Sequence, residues 1–282
     1  MQFADDPAAY FGNDGAAAAN LPAAERERLQ QAALGHRLTQ LLPALPPLAA
    51  LAETQGLDAS ASLDEAPRLL FPHTLYKAHD TRWLIGGAFD RLTAWLQRLV
   101  TFGLSAAVGR DFATVDGWMD ALERDWRAHI QPSAGTTGAM SLMLRAEGEM
   151  RARPGRDMMM RALWFRSLGL PENEAEMGVI WPAAAQGRTS LGSIIANWRR
   201  FRGSGDGPIV SLHETGLGAD YELYVVLART AQAMGREKVP PPSPHVARML
   251  DEADRRYANQ AQHVEQMLDA IDRQLNGKRV LF

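Results

Sequence analysis

The stretch Ile130-Gln131-Pro132-Ser133-Ala134-Gly135-Thr136-Thr137-Gly138-Ala139-Met140-Ser141 decides how the rest of this chain is read. Between Ser133 and Gly138 it holds two glycines and three hydroxyl side chains, and Ser141 adds another hydroxyl. Glycine lets the backbone turn tightly and bring its N–H groups close to an anion, and hydroxyls supply further donors. Such a bend suits the phosphates of a nucleotide. It is not a Walker A loop, because no Gly-Lys-Ser/Thr follows. The same residue types also make an ordinary polar turn between a helix and a strand.

Working outward, the sequence before Ile130 reads as mostly helix. Residues 1–24 are rich in Ala, Gly and Asp with little periodicity, which predicts a loosely held arm with a short helix at most. Apolar spacings of three to four predict a helix from Ala24 to Thr39, and a second after Pro47 that stops at Gly56. Trp83, Leu84, Phe89, Leu92, Trp95, Leu96 and Leu99 lie on one stripe and predict a helix over 81–99. Val115, Trp118, Met119, Leu122 and Trp126 repeat the pattern, with Thr114 placed to cap it.

After Ile130 the character changes. Met140–Leu144 and Pro208–Leu212 are short and apolar enough for strands, whereas 157–168 and 221–234 read as helices. Beyond the proline linker at 240–244, a helical repeat runs unbroken to Asn276-Gly277. The last residues, Val280-Leu281-Phe282, read as the start of a strand whose edge needs further chain or another subunit to pair with. The expected domains are an arm at 1–24, a helical region at 25–129, and a part-α/β nucleotide-binding region at 130–282.

Composition narrows the function classes. The 282 residues are 46% hydrophobic and 22% charged, as in a globular protein. With 30 Lys plus Arg against 33 Asp plus Glu, no basic excess exists to neutralise a polyanion, so a nucleic-acid partner is not expected. The absence of cysteine excludes disulfides, thiolate metal sites and cysteine nucleophiles. The acidic start Met1–Asp6 is unlike a signal peptide, and the apolar run 41–52 is broken by three prolines and too short to span a bilayer. These features predict a cytoplasmic protein with no membrane span.

The order of residues from Ser133 to Gly138 resembles the phosphate loop of the adenylate-forming superfamily, nearest to its acyl-protein synthetase and phenylacetate-CoA ligase-like branch. Ile130 and Met140 fit the apolar places on either side. Ala134 stands where a second Ser is commoner. Ser141 stands where most members have Lys or Arg, and is similar to the acyl-protein synthetases in being Ser, with Arg145 near in sequence to contribute charge. Leu69 to Lys77 also resembles the segment that precedes the loop in that branch. The resemblance implies an α/β fold in which a helical amino-terminal region is followed by part of a large adenylate-forming domain. It implies ATP and Mg²⁺ as cofactors, and activation of a fatty or aromatic carboxylic acid to an acyl-adenylate for transfer to CoA or a carrier thiol. Ser133, Gly135, Thr136, Thr137 and Gly138 would contact phosphate, with Ser141 a further candidate. The superfamily's lid lysine and acidic motifs lie well downstream, so the resemblance also implies an incomplete amino-terminal part that a second chain or further segment completes. The alternative is a non-catalytic subunit or interaction domain that keeps the loop as a relic.

Other patterns point to simpler roles. The seven histidines include no His-x-x-x-His or His-Glu-x-x-His pair, so no metal site is expected. Gly187-Arg188-Thr189-Ser190-Leu191-Gly192 has one residue too many for a nucleophile elbow. Trp198-Arg199-Arg200-Phe201-Arg202 fits a helix end whose arginines serve the last carbonyls. Trp164, Phe165, Trp181 and Met158–Met160 fit ordinary core better than an acyl tunnel.

Overall fold

A computed structural model describes residues 3–12, 17–18, 20–104, 107, 109–132, 140–146, 149, 178–188, 192, 195, 208–233, 241–278 and 280–281. The chain is a mixed α/β protein. Its described residues form two compact units. One comprises those within Met1–Asp111, Leu122–His129 and Leu144–Glu172, and the other those within Phe112–Ala121, Ile130–Met143 and Asn173–Phe282. The predicted helix at 157–168, the run 198–202 and the aromatic and methionine residues at 158–165 lie outside the described residues.

The first unit is built from short-range helical packing. Helix α1 is Pro7–Tyr10, and Phe3, Tyr10 and Phe11 meet edge to face around it. Helix α2, Ala23–Leu41, is rich in Ala, Leu, Gln, Glu and Arg, the residues that lose least on entering a helix. Helix α3, Pro46–Gln55, starts on two prolines and ends where Gly56 adopts a left-handed φ of 65°. Leu38, Leu45, Leu48, Ala52, Ala61 and Leu69 bury together as the core of this region. The Gln31 amide ties the following loop down: its Nε2 donates to the Ala61 carbonyl at 2.9 Å, and its Oε1 accepts from the Leu63 N–H at 2.9 Å.

The predicted helix over 81–99 is two helices, α4 (Thr81–Ile85) and α5 (Phe89–Gln97). Gly86 and Gly87 separate them, and Gly87 takes a φ of 67° that only glycine adopts readily. The stripe survives the break, because Leu84, Phe89, Leu92 and Leu96 are all buried. Helix α6, Val115–Trp126, follows the prediction, with Thr114 Oγ1 accepting from the Gly117 N–H at 3.0 Å.

Strands β1 (Ala128–Pro132) and β2 (Leu142–Ala146) form a two-stranded sheet. Gln131 and Pro132 are the last residues of β1, and β2 starts two residues after the predicted Met140. The second sheet has the order β4-β3-β5, with β3 at Gly178–Gln186, β4 at Ile209–Thr215 and β5 at Val280–Leu281. Both its pairings are parallel. Strand β3 has no counterpart in the sequence reading, because Pro182 sits inside it and proline argues against a central strand. The register between β3 and β4 shifts between Trp181 and Ala184, at the position of that proline. Val179, Ala185 and Ile195 form the buried cluster here, packed by Trp181 and Ile209.

Helix α7, Ala219–Ala233, matches the prediction. The long terminal helix does not: α8 (Pro244–Ala258) and α9 (Gln260–Leu275) meet at Asn259, whose side chain donates to the Arg255 carbonyl at 2.9 Å. That bond offers the backbone an alternative to continuing the helix. The final strand is present where the sequence reading placed it. On one side β5 pairs with β3 through Gly178–Val280 and Val179–Leu281, and it stands at the margin of the sheet. Leu275 packs against Gly178, where a Cβ would collide with its side chain. Among the described residues, no helix is long and apolar enough to cross a membrane.

Candidate functional site

Parallel strands place their carboxyl ends on one side of a sheet, and in open α/β sheets that edge is where ligands bind. Here β3 ends at Gln186 and β4 at Thr215, each followed by glycine. The Gly216 N–H donates to the Gln186 carbonyl at 2.8 Å. A Cβ on Gly187 would stand 3.6 Å from the Gly216 Cα, and one on Gly192 would stand 2.8 Å from the Gly187 carbonyl oxygen. At Gly192 the missing side chain permits the close approach, whereas Gly187 has room for a Cβ and is set apart by its φ of 145°.

Directly beyond lies a cavity of about 200 Å³, lined by Pro132, Ala184, Gly187, Arg188, Gly216 and Glu222 among others. Pro132 is the last residue of β1 and the residue immediately before Ser133. Arg188 pairs with Asp120. The residues expected to contact phosphate, Ser133, Gly135, Thr136, Thr137 and Gly138, lie outside the described residues. Ser141 is buried, at 7% exposure, one residue before β2. Arg145 makes an ion pair with Glu149.

A second, wider cavity of about 380 Å³ adjoins the first, sharing Ala184, Gly216, Leu217 and Glu222 with it. Its own walls include His213, Tyr221, Arg256 and Tyr257. Burial pushes the Glu222 carboxyl above the usual range, and Arg229 opposes that shift. Burial likewise pushes the His213 imidazole down, helped by the positive charge of Arg256, so its neutral form is favoured. Arg256 donates from Nε to Glu252 at 2.8 Å and from Nη1 to the Thr215 carbonyl at 2.7 Å. Glu252 is shared, because Arg255 also pairs with it at 2.9 Å. One carboxylate between two guanidiniums leaves a net positive charge at the Arg256 wall.

Asp116, Asp220 and His245 also come together, with ligand atoms within 4.8 Å of one another. No sequence spacing announces this group, since its members come from α6, α7 and α8. Its geometry is that of a reciprocal helix cap. Asp220, near the start of α7, accepts the Val115 and Asp116 N–H groups at the start of α6, both at 2.9 Å. Asp116 returns the arrangement, accepting the Ala219 N–H at 2.8 Å and the Asp220 N–H at 3.1 Å. All four carboxylate oxygens thus serve otherwise unpartnered helix N–H groups. Two helix amino termini pointing at one spot already supply positive potential, which disfavours a cation there. Burial raises the Asp220 carboxyl, the backbone N–H bonds oppose that, and the adjacent Asp116 adds to it.

Comparison with protein-family models, with curated proteins and with solved structures finds no match to this chain. The site therefore stands on its own geometry. Sequence reading pointed to the bend after Pro132 but missed Glu222, Arg256 and the Asp116–Asp220 pair. The signals available for that pair were only an Asp near each predicted helix start and the glycine at Gly218.

Proposed function

We propose that this chain binds ATP by its phosphates at the carboxyl edge of β3 and β4, and acts in ATP-dependent activation of a fatty or aromatic carboxylic acid to an acyl-adenylate. One observation carries the reading: Pro132, which immediately precedes the Ser/Thr/Gly bend in sequence, borders a cavity whose lining includes the glycines after β3 and β4. Backbone N–H groups at a glycine-rich edge, with hydroxyls from Thr136 and Thr137, are the donors a phosphate chain needs. The acyl-activation part rests on the resemblance of residues 133–138 to the adenylate-forming loop.

In the proposed reaction, a carboxylate oxygen attacks the α-phosphorus and pyrophosphate leaves. The role of the chain's residues is to hold the phosphates and stabilise the charge that develops on them. The described residues do not fit a resident Mg²⁺. Asp116 and Asp220 are spent on helix caps, and Glu222 is a lone carboxylate on a cavity that also holds Arg188. Mg²⁺ would arrive on the ATP phosphates, and no step is routed through a protein-held ion.

The test is isothermal titration with Mg·ATP followed by an ATP–pyrophosphate exchange assay with mixed carboxylic acids. Binding by the wild type that falls at least about tenfold in the Thr136→Ala, Thr137→Ala double variant is expected, from the loss of two hydroxyl contacts to charged oxygens. Wild-type protein without ATP affinity, or a double variant that binds equally well, would remove the bend from any nucleotide role.

A further inference from the structure

The wider cavity carries charges of both signs that do not neutralise each other. Glu222 is on one wall, partly buried, and among the described residues its carboxylate takes no hydrogen bond and makes no ion pair. Arg256 is on the same cavity, and its ion pair is with Glu252, not Glu222. A guanidinium has five N–H donors. Two of those of Arg256 are engaged, by Glu252 and the Thr215 carbonyl, so the rest of its fork can serve a ligand. Because Glu252 is divided between Arg255 and Arg256, the positive charge at this wall is not cancelled.

Keeping a carboxylate partly out of water, with only the charge of Arg229 at a distance to offset it, costs free energy. A ligand cation would offset that cost, and the burial of Glu222 that pushes its carboxyl up is the same cost expressed in protonation. Tyr221, Tyr257 and a neutral-favoured His213 line the same cavity and offer ring surface to an uncharged side chain. A volume of about 380 Å³ is at the small end of ligand pockets.

We infer that this cavity binds a small zwitterion of the amino-acid class, with its ammonium on Glu222, its carboxylate on Arg256 and its side chain against the tyrosines. The inference goes beyond acyl activation and does not need ATP, so the two can fail separately. Its experiment uses the full chain without nucleotide. Each of the common L-amino acids at about 10 mM is screened by thermal shift, a concentration that reveals even millimolar binding. The strongest is then titrated calorimetrically beside its des-amino acid and its decarboxylated amine.

The expected result is that one or more amino acids raise the melting temperature, and that both truncated counterparts bind at least about tenfold more weakly, since each lacks a charged hydrogen-bonding partner. Glu222→Gln should weaken the amino acid by a similar factor while leaving the des-amino acid unchanged. That variant removes a partly buried charge and keeps the shape, and the truncated-ligand series gives an answer from the wild type alone. No shift with any amino acid overturns the inference. So does equal binding of the truncated ligands, equal binding by Glu222→Gln, or Mg²⁺ alone binding in a Glu222-dependent way. Amino-acid binding without ATP affinity would uphold this site and defeat the acyl-activation reading; the reverse result would do the opposite.

Discussion

The two units solve the same problem, burying apolar surface without stranding polar groups, by opposite means. In the first, the core residues Leu38 to Leu69 are near neighbours in sequence, and the polar ties of Gln31 and the Ser62–Glu65 pair close loops within the same stretch. In the second, the joints link positions about a hundred residues apart: Asp116 with Asp220, and Gly178 with Leu275. The candidate site belongs to the second kind of construction. A cavity edged by the ends of separate strands needs long-range joints to hold its walls in register.

The largest effect should come from the local core. Leu38→Ala should lower stability by about 3 kcal/mol, as for other buried leucines, read by urea denaturation. Amide-exchange protection should fall chiefly between Ala23 and Leu69; an unchanged midpoint would break the account of this region. Next, Asp220→Ala should cost about 2 kcal/mol, because it removes the acceptors of two helix N–H groups. The comparison sharpens in a double-mutant cycle. Asp116→Ala should cost less in the Asp220→Ala background than alone, since the two caps hold the same pair of helix starts. Strict additivity would mean two independent caps. Smaller again, Gly178→Ala should cost about 1 kcal/mol by pushing on Leu275. Trimming Leu275 to Ala in the same chain should make that added methyl nearly neutral.

These contrasts explain what could be read from the sequence. Helices α2, α3 and α6 were legible because their periodicity, Pro starts and Gly stop are local signals. The breaks at Gly86-Gly87 and Asn259 were missed because the apolar stripe continues across them, so periodicity alone sees one helix. Strand β3 was hidden by Pro182, which is tolerated at a register shift that only the partner strand creates. The inner partner of β5 could not be named for the same reason: β3 had not been recognised as a strand. Of the candidate site, the Ser/Thr/Gly bend was visible as composition. Glu222 and Arg256 were not, because two opposite charges become a site only when α7 and α8 bring them to one cavity.

The finest test of the comparison uses two aspartates whose proton affinities move in opposite directions. In the first unit, hydrogen bonds from Arg124 and Arg110 hold the Asp125 carboxyl at about 2, with Arg110 also lying 5.3 Å from the centre of the Trp126 ring. A carboxyl lowered by folding adds stability above its unfolded value, and that contribution fades as the pH falls toward 2. In the second unit, burial raises Asp220, so the native state holds its proton more tightly than the unfolded chain. Its contribution has the opposite slope, and stability drops as the pH rises from the ordinary carboxylate value through the raised one. Melting temperatures of the wild type, Asp125→Asn and Asp220→Asn between pH 2 and 7 separate the two. Asp125→Asn should flatten the acid limb only slightly, because solvent screens an exposed pair. Asp220→Asn should be destabilising throughout, since its amide NH₂ faces a helix N–H, but should remove the decline above the ordinary carboxylate range. A decline that persists in Asp220→Asn would show that the reciprocal cap is not where the second unit holds its proton.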